Sequence, residues 1–224
     1  RSSHKGDYGR LLLIGGTYPY GGAIIMAALG AVRSGAGLVT VATDKENISA
    51  LHSHLPEAMA FDLDDKQLLE QQLQKASVVL VGPGLVDDNR GEELLQTVFH
   101  HSNQDQTLIL DGGALSILAK AEMKFPKAHL VLTPHQREWQ VLSGLDLDSQ
   151  GTEETGETLK RFPSGTILVQ KGPATRIWQA GQTDCYQLSV GGPYQATGGM
   201  GDTLAGLIAG FAGQFPQANL YERV

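Results

Sequence analysis

Residues 11–23 read Leu-Leu-Leu-Ile-Gly-Gly-Thr-Tyr-Pro-Tyr-Gly-Gly-Ala. Four apolar residues without polar alternation are the pattern of a strand covered on both faces, as in a parallel sheet. Gly15-Gly16 ends that run, and the pattern over 23–33 is helical. The same succession recurs outward along the chain. Apolar runs stand at 38–41, 78–81, 108–110, 130–132 and 167–169, and further helical patterns at 66–75, 91–100, 114–121, 137–142, 152–161 and 203–214. Such alternation specifies an α/β sandwich with a mainly parallel central sheet and helices on both faces.

Composition narrows the function. The 224 residues are 41% hydrophobic and 18% charged, with a net charge of −7. This argues against nucleic acid and anionic membrane as partners, because both need a basic face. No run approaches the roughly 20 apolar residues of a membrane span. Cys185 is the single cysteine. An internal disulfide is therefore impossible, and a reducing, cytoplasmic compartment is expected. One domain over 1–224 is expected. Because the chain ends soon after the 203–214 pattern, a closing C-terminal part is expected to be missing.

In parallel α/β sheets, ligands bind at the carboxyl ends of the strands. The 28 glycines cluster there. The turn at 15–22 does not fit the dinucleotide fingerprint, and it lacks the Lys and Ser/Thr of a P-loop. It reads either as a substrate-contacting turn, with the Ala23 backbone at a helix N-terminus, or as a plain βα turn. The densest cluster is Ala196-Thr197-Gly198-Gly199-Met200-Gly201-Asp202, followed by Leu204, Leu207, Ile208 and Phe211 at helical spacing. Backbone N–H groups at a helix start lack intrahelical partners, and glycine lets a phosphate approach them. Gly198, Gly199, Met200 and Gly201 are the candidate anion hole. Asp202 is the candidate base for a hydroxyl attacking a phosphoryl group. The alternative is an ordinary glycine turn with Asp202 as helix N-cap.

Other strand ends carry weaker signals. Val81-Gly82-Pro83-Gly84-Leu85 offers close backbone approach. Asp111, before Gly112-Gly113, reads as facing a ligand or metal or as capping the next helix. Thr133-Pro134-His135 puts His135 at a helix N-terminus, where a neutral imidazole can bond a ligand; a zinc role is disfavoured for want of a spaced partner. Glu138 reads equally as part of a cap or as an indirect metal contact. Lys171-Gly172-Pro173-Ala174-Thr175 offers a phosphate a point charge, or is a solvated hairpin turn, with 175–178 as the returning strand. Cys185, on an expected edge strand, reads as structural. Gly-x-Ser-x-Gly is absent.

Taken together these segments resemble the ribokinase-like superfamily, and within it the ADP/ATP-dependent NAD(P)H-hydrate dehydratase family. The resemblance rests on His4-Lys5-Gly6 with Tyr8-Gly9, Gly15-Gly16 with Gly21-Gly22-Ala23, Arg33-Ser34-Gly35-Ala36-Gly37-Leu38-Val39-Thr40, and Pro56-Glu57-Ala58-Met59. It continues in Gly82-Pro83-Gly84, Thr133-Pro134-His135 with Glu138, Lys171-Gly172 with Thr175, and 196–202. These stretches run in family order over nearly the whole chain. One departure is Gly113, where the family usually carries an acidic residue.

The resemblance implies a ribokinase-like three-layer sandwich that dehydrates hydrated NADH or NADPH, first phosphorylating the C6 hydroxyl and then eliminating phosphate. By the same resemblance Asp202 is the catalytic base and touches the substrate, and Ala23, Gly84 and His135 contact the hydrated dinucleotide. Lys171, Gly172, Pro173, Ala174 and Thr175, with Gly201, contact the adenine nucleotide. ADP rather than ATP is the implied co-substrate, Mg²⁺ is implied on the nucleotide phosphates, and a homotetramer is implied. The alternative is a ribokinase-like kinase that stops at phosphorylation of a vitamin precursor or sugar hydroxyl.

Overall fold

The structure is a computed structural model that describes residues 4–191 and 197–224. Ala196, the first residue of the glycine-rich stretch, lies outside the described residues. After a 3₁₀ turn at Lys5–Tyr8, the chain alternates β1 (Arg10–Ile14), α1 (Gly21–Arg33), β2 (Leu38–Thr43), α2 (Ile48–His54), β3 (Met59–Asp62), α3 (Lys66–Lys75), β4 (Val78–Val81) and α4 (Asn89–His101). There follow β5 (Thr107–Leu110), α5 (Gly113–Lys120), β6 (His129–Leu132), α6 (Gln136–Ser143), α7 (Thr152–Leu159), β7 (Ile167–Gln170), β8 (Arg176–Gln179) and β9 (Cys185–Gln187). The long helix α8 (Met200–Gln214) and the single turn α9 (Leu220–Arg223) complete the described chain.

The strands form one nine-stranded sheet in the order β3-β2-β1-β4-β5-β6-β7-β8-β9. Pairing is parallel from β3 to β7; β8 and β9 add an antiparallel edge. Successive strand residues face opposite sides. Leu11, Leu13, Val78, Leu80, Ile109 and Val131 therefore pack under α1, α2 and α8. Leu12, Ile14, Val79, Val81, Leu108 and Leu110 pack under α3 to α7. Both faces are covered, which is why the runs show no polar alternation.

The expected strands are all present, and the edge strand holding Cys185 is β9. β3 and α2 are additional to the expected elements; their sequence patterns are short and mixed. The last helical pattern begins at 203, whereas α8 begins at Met200. Gly201 and Asp202 therefore lie inside the first turn rather than ahead of it.

α8 crosses α1 closely, and small residues allow this. A Cβ added at Gly206 would collide with the Ala27 carbonyl, and one at Gly210 with the Ser34 hydroxyl. The crossing fixes where the N-terminus of α8 points.

Candidate active site

The chain leaves β1 toward β2 and β3 on one side, then returns to place β4 on the other side of β1. Such a switch point opens a crevice at the carboxyl ends of the strands. The two loops there are joined by backbone. Pro83 O accepts from Gly16 N at 2.9 Å, and Gly84 O accepts from Thr17 N at 2.9 Å and from the Thr17 hydroxyl at 3.1 Å. Gly84 has φ +65°, and a Cβ there would stand 3.0 Å from the Ala23 Cβ. Gly84 and Ala23 are thus neighbours. The Ala23 N–H bonds to Tyr20 O at 3.2 Å, closing the first turn of α1.

Next along the sheet, the end of β5 supplies Asp111, with 3% of its side chain exposed. Its Oδ1 accepts from the Thr133 hydroxyl at 2.8 Å and from Lys171 Nζ at 2.8 Å. Lys171 follows β7; its N–H bonds to Pro134 O at 2.8 Å, which pairs it with His135 as an isolated parallel bridge. The solvated-turn reading of Lys171 is therefore wrong: only 17% of its side chain is exposed, and it forms a buried ion pair. Asp111 does not cap α5. Gly112 occupies that position, with no side-chain capping bond. Gly113 has a packing reason, because a Cβ there would collide with the Leu85 carbonyl.

The N-terminus of α8 closes the site. Gly199 is its N-cap at φ +83°, a conformation that favours glycine, so Asp202 is the third residue of the helix and not its cap. Gly198 and Gly199 form the turn, and Met200 and Gly201 begin the helix. The Thr203 N–H and hydroxyl both bond to Gly199 O, at 2.9 and 2.8 Å. Among the described residues, no atom beyond its chain neighbours lies within 4 Å of where a Cβ at Gly198 would stand, and outside the helix's own backbone the atom near that position at Gly201 is Lys171 Nζ, 3.3 Å away. The turn is open toward the lysine ammonium. Burial raises the Asp202 pKa above the usual carboxylate value, and the Asp111 charge raises it further. Lys171 opposes this, as does a hydrogen bond from the Asp202 backbone N–H; Glu138 adds a smaller push upward.

His135 is the N-cap of α6. Its Nδ1 accepts from the N–H groups of Arg137 and Glu138, each at 3.1 Å, while Glu138 Oε2 accepts from His135 N at 2.7 Å. This is a reciprocal capping box, so of the two readings of Glu138 the cap is realised. With Nδ1 accepting, Nε2 is the ring nitrogen left to donate; it lies on a half-exposed ring, 3.6 Å from Glu138 Oε1.

Beside Lys171 lies a cavity of about 220 Å³ lined by Gln136, Lys171, Gly172, Pro173, Ala174 and Arg176. The Thr175 hydroxyl bonds within its own turn, to Gly172 O at 3.4 Å. A second cavity of about 540 Å³, between α3 and α4, contains none of the candidate site residues. Among the described residues no group of three His, Cys, Asp or Glu side chains is placed to hold a metal. No helix among them is long and apolar enough to cross a membrane.

Sequence reasoning left Asp111 open and did not pair it with Lys171. Sixty residues separate them, and only the β5-β6-β7 order brings them together. The signal that was available is an acidic residue ending a wholly apolar parallel strand.

An αβα sandwich with a glycine turn, a helix N-terminus and a carboxylate over the strand ends places the chain in the ribokinase-like class. The family model of NAD(P)H-hydrate dehydratase matches residues 11–223, and the chain belongs to that family. An ADP-dependent (S)-NAD(P)H-hydrate dehydratase of Streptococcus pneumoniae is 70% identical over all of this chain and 77% of its own length. A ribokinase-like superfamily protein of Enterococcus faecalis superimposes with a TM-score of 0.91 at 39% identity, over 99% of this chain and 78% of its own. The ADP/ATP-dependent NAD(P)H-hydrate dehydratase of Bacillus subtilis, co-crystallized with ATP/Mg²⁺, gives a TM-score of 0.81 at 28% identity, over 99% and 79%.

Proposed function

We propose that this protein is an ADP-dependent dehydratase that returns hydrated NADH and NADPH to NADH and NADPH. The observation that carries the reading is the placement of Asp202. It is a half-buried carboxylate in the first turn of α8, directly after an open glycine turn that faces the Lys171 ammonium. ADP is taken as the donor because it stands in the name of the 70% identical relative.

The chemistry asks for these groups. The hydrated ring carries a hydroxyl at C6, and hydroxide is a poor leaving group. Asp202 accepts the hydroxyl proton as the oxygen attacks the terminal phosphorus of ADP. The new O–P bond forms as the bond to the AMP oxygen breaks. The Gly198 to Gly201 backbone receives the charge on the transferred group. The lone pair of the ring nitrogen then expels phosphate from C6, and loss of a proton from C5 restores the dihydronicotinamide. NAD(P)H, AMP and inorganic phosphate are the products.

In this reading Ala23, Gly84 and His135 border the hydrated ring, and 171–175 with Gly201 border the adenine nucleotide. The carboxylates are already committed: Asp111 to Thr133 and Lys171, and Glu138 Oε2 to the cap. They suit a magnesium ion carried on phosphate oxygens and water rather than in a protein cage. Glu138 Oε1, which takes no part in the cap but stands 3.6 Å from His135 Nε2, is the group that would hold such an ion through water, and the ion would neutralise phosphate charge. A cytoplasmic homotetramer is proposed with this function and is checked by light scattering.

The test mixes the protein with hydrated NADH, Mg²⁺ and ADP and follows the absorbance of the reduced ring. Recovery that depends on ADP is expected. No recovery with ADP or ATP, beside stable phosphorylation of a vitamin precursor or sugar alcohol, would assign the kinase instead.

A further inference from the structure

The geometry points to Asp111 as a positioning residue that pins the Lys171 ammonium against the N-terminus of α8, so that the lysine acts on the transferring phosphoryl group rather than as a loose tether for the nucleotide. This rests on the phosphoryl-transfer reading above. A lysine on a turn is ordinarily a mobile, strongly hydrated charge. Here it is held at both ends. Its backbone N–H is bonded to Pro134 O at 2.8 Å, and its Nζ to Asp111 Oδ1 at 2.8 Å. Asp111 is held in turn, because the single proton of the Thr133 hydroxyl has its nearer acceptor in the same oxygen, at 2.8 Å against 3.2 Å to Leu110 O.

The pinned ammonium stands 3.3 Å from the Cβ position of Gly201, at the mouth of the glycine turn. A side chain at Gly201 would occupy the gap between the cation and the helix start. The ion pair has no net charge, so its long-range pull on a nucleotide is weak. Its oriented dipole, with the cation toward α8, favours negative charge that develops close by during transfer. A charge fixed before the reaction needs no reorganisation during it. The pair is also central to the local field. The charges of Lys171, Asp111 and Glu138 all act on Asp202.

The test is a double-mutant cycle of Asp111→Asn, Lys171→Met and their combination, read as kcat, nucleotide affinity by calorimetry, and Tm. Asn keeps the shape and an acceptor for Thr133 but removes the charge that holds the lysine. Asp111→Asn is expected to lower kcat at least tenfold while changing nucleotide affinity less than threefold. The double variant is expected to be no slower than Lys171→Met within twofold, because residues acting as one unit do not give multiplicative losses. A kcat for Asp111→Asn within twofold of wild type would overturn the assignment, even with a lowered Tm. So would losses that multiply, or a loss confined to nucleotide affinity. If Asp111→Asn does not fold, Thr133→Val reads the same link, with at least a threefold loss in kcat expected and an unchanged kcat overturning it. The wild-type arm separates the two levels: a wild type without ADP-dependent turnover defeats the proposed function, whereas an active wild type with an equally active Asp111→Asn defeats only this inference.

Discussion

Asp202 sits where burial and a second carboxylate, Asp111, both favour its protonated form. As the base it must be ionised, so activity is lost as pH falls through a pKa lying above the ordinary value of about 3.9. Asp202→Asn should bind nucleotide as wild type does and turn over about 10² to 10⁴ more slowly; steady-state dehydration beside calorimetry checks this. The same shift has a stability consequence. A folded pKa above the unfolded one means that the native state binds the proton more tightly, so ionising Asp202 withdraws stability as pH rises through the folded value. The penalty is absent below the unfolded pKa and complete above the folded one. Asp202→Asn should therefore melt no lower than wild type at neutral pH, with the difference vanishing in acid; melts across that range test it. Lys171→Ala has an effect that the strand-end reading does not foresee. With Asp111 buried beneath it, removing the ammonium leaves a buried carboxylate unpaired, a loss of about 3–5 kcal/mol. Urea unfolding should show that loss in addition to any weakening of nucleotide binding.

At the scale of elements, two helix starts build the site by different means. α6 begins with a side-chain cap, and His135 serves both the cap and the open site. His135→Ala should lower stability by about 1 kcal/mol, while His135→Asn should restore most of it, since Asn is a favoured cap. Denaturant midpoints for the two variants distinguish them; equal values would deny the cap its role. α8 begins with a glycine N-cap and no side-chain bond, which leaves its first turn open toward Lys171. Its direction comes from the close crossing with α1. Gly206→Ala gains about 1 kcal/mol of helix propensity. It also drives a methyl into the Ala27 backbone, which cannot yield as a side chain would. A net loss of about 1–2 kcal/mol is expected, a fall in Tm of roughly 2–8 °C. Retained Tm would mean that the helices can part without cost.

For the whole molecule, the parallel order β3-β2-β1-β4-β5-β6-β7 carries groups remote in sequence to one edge of the sheet. Gly84, Asp111, His135 and Lys171 follow four adjacent strands, and α8 returns from the far end of the chain to lie over them. A ligand held by so many elements stabilises the fold by linkage. ADP at 100 times its Kd should add about 2.7 kcal/mol, measured as a shift in Tm with ADP concentration. Asp202→Asn should retain that shift, since the backbone of the turn is unchanged.

The class of fold is readable along the chain, because runs such as 11–14 and 78–81 are apolar throughout and alternate with helical patterns, as a covered parallel sheet requires. The sequence by itself also fixes the strand-end positions of Gly84, His135 and Lys171 and places Asp202 near a helix N-terminus, because glycine, proline and helical periodicity act within a few residues of one another. The tertiary structure alone decided what these residues touch. The Asp111–Lys171 pair spans two intervening strand-order choices, and the burial that raises the Asp202 pKa depends on three elements meeting. The α8 start at 200 rather than 203 was equally out of reach, because Gly201 disfavours helix locally and yet lies in the first turn. Local chemistry was legible because it is written in neighbouring residues. The electrostatics of the site were not, because charge interactions depend on distance through space and not along the chain.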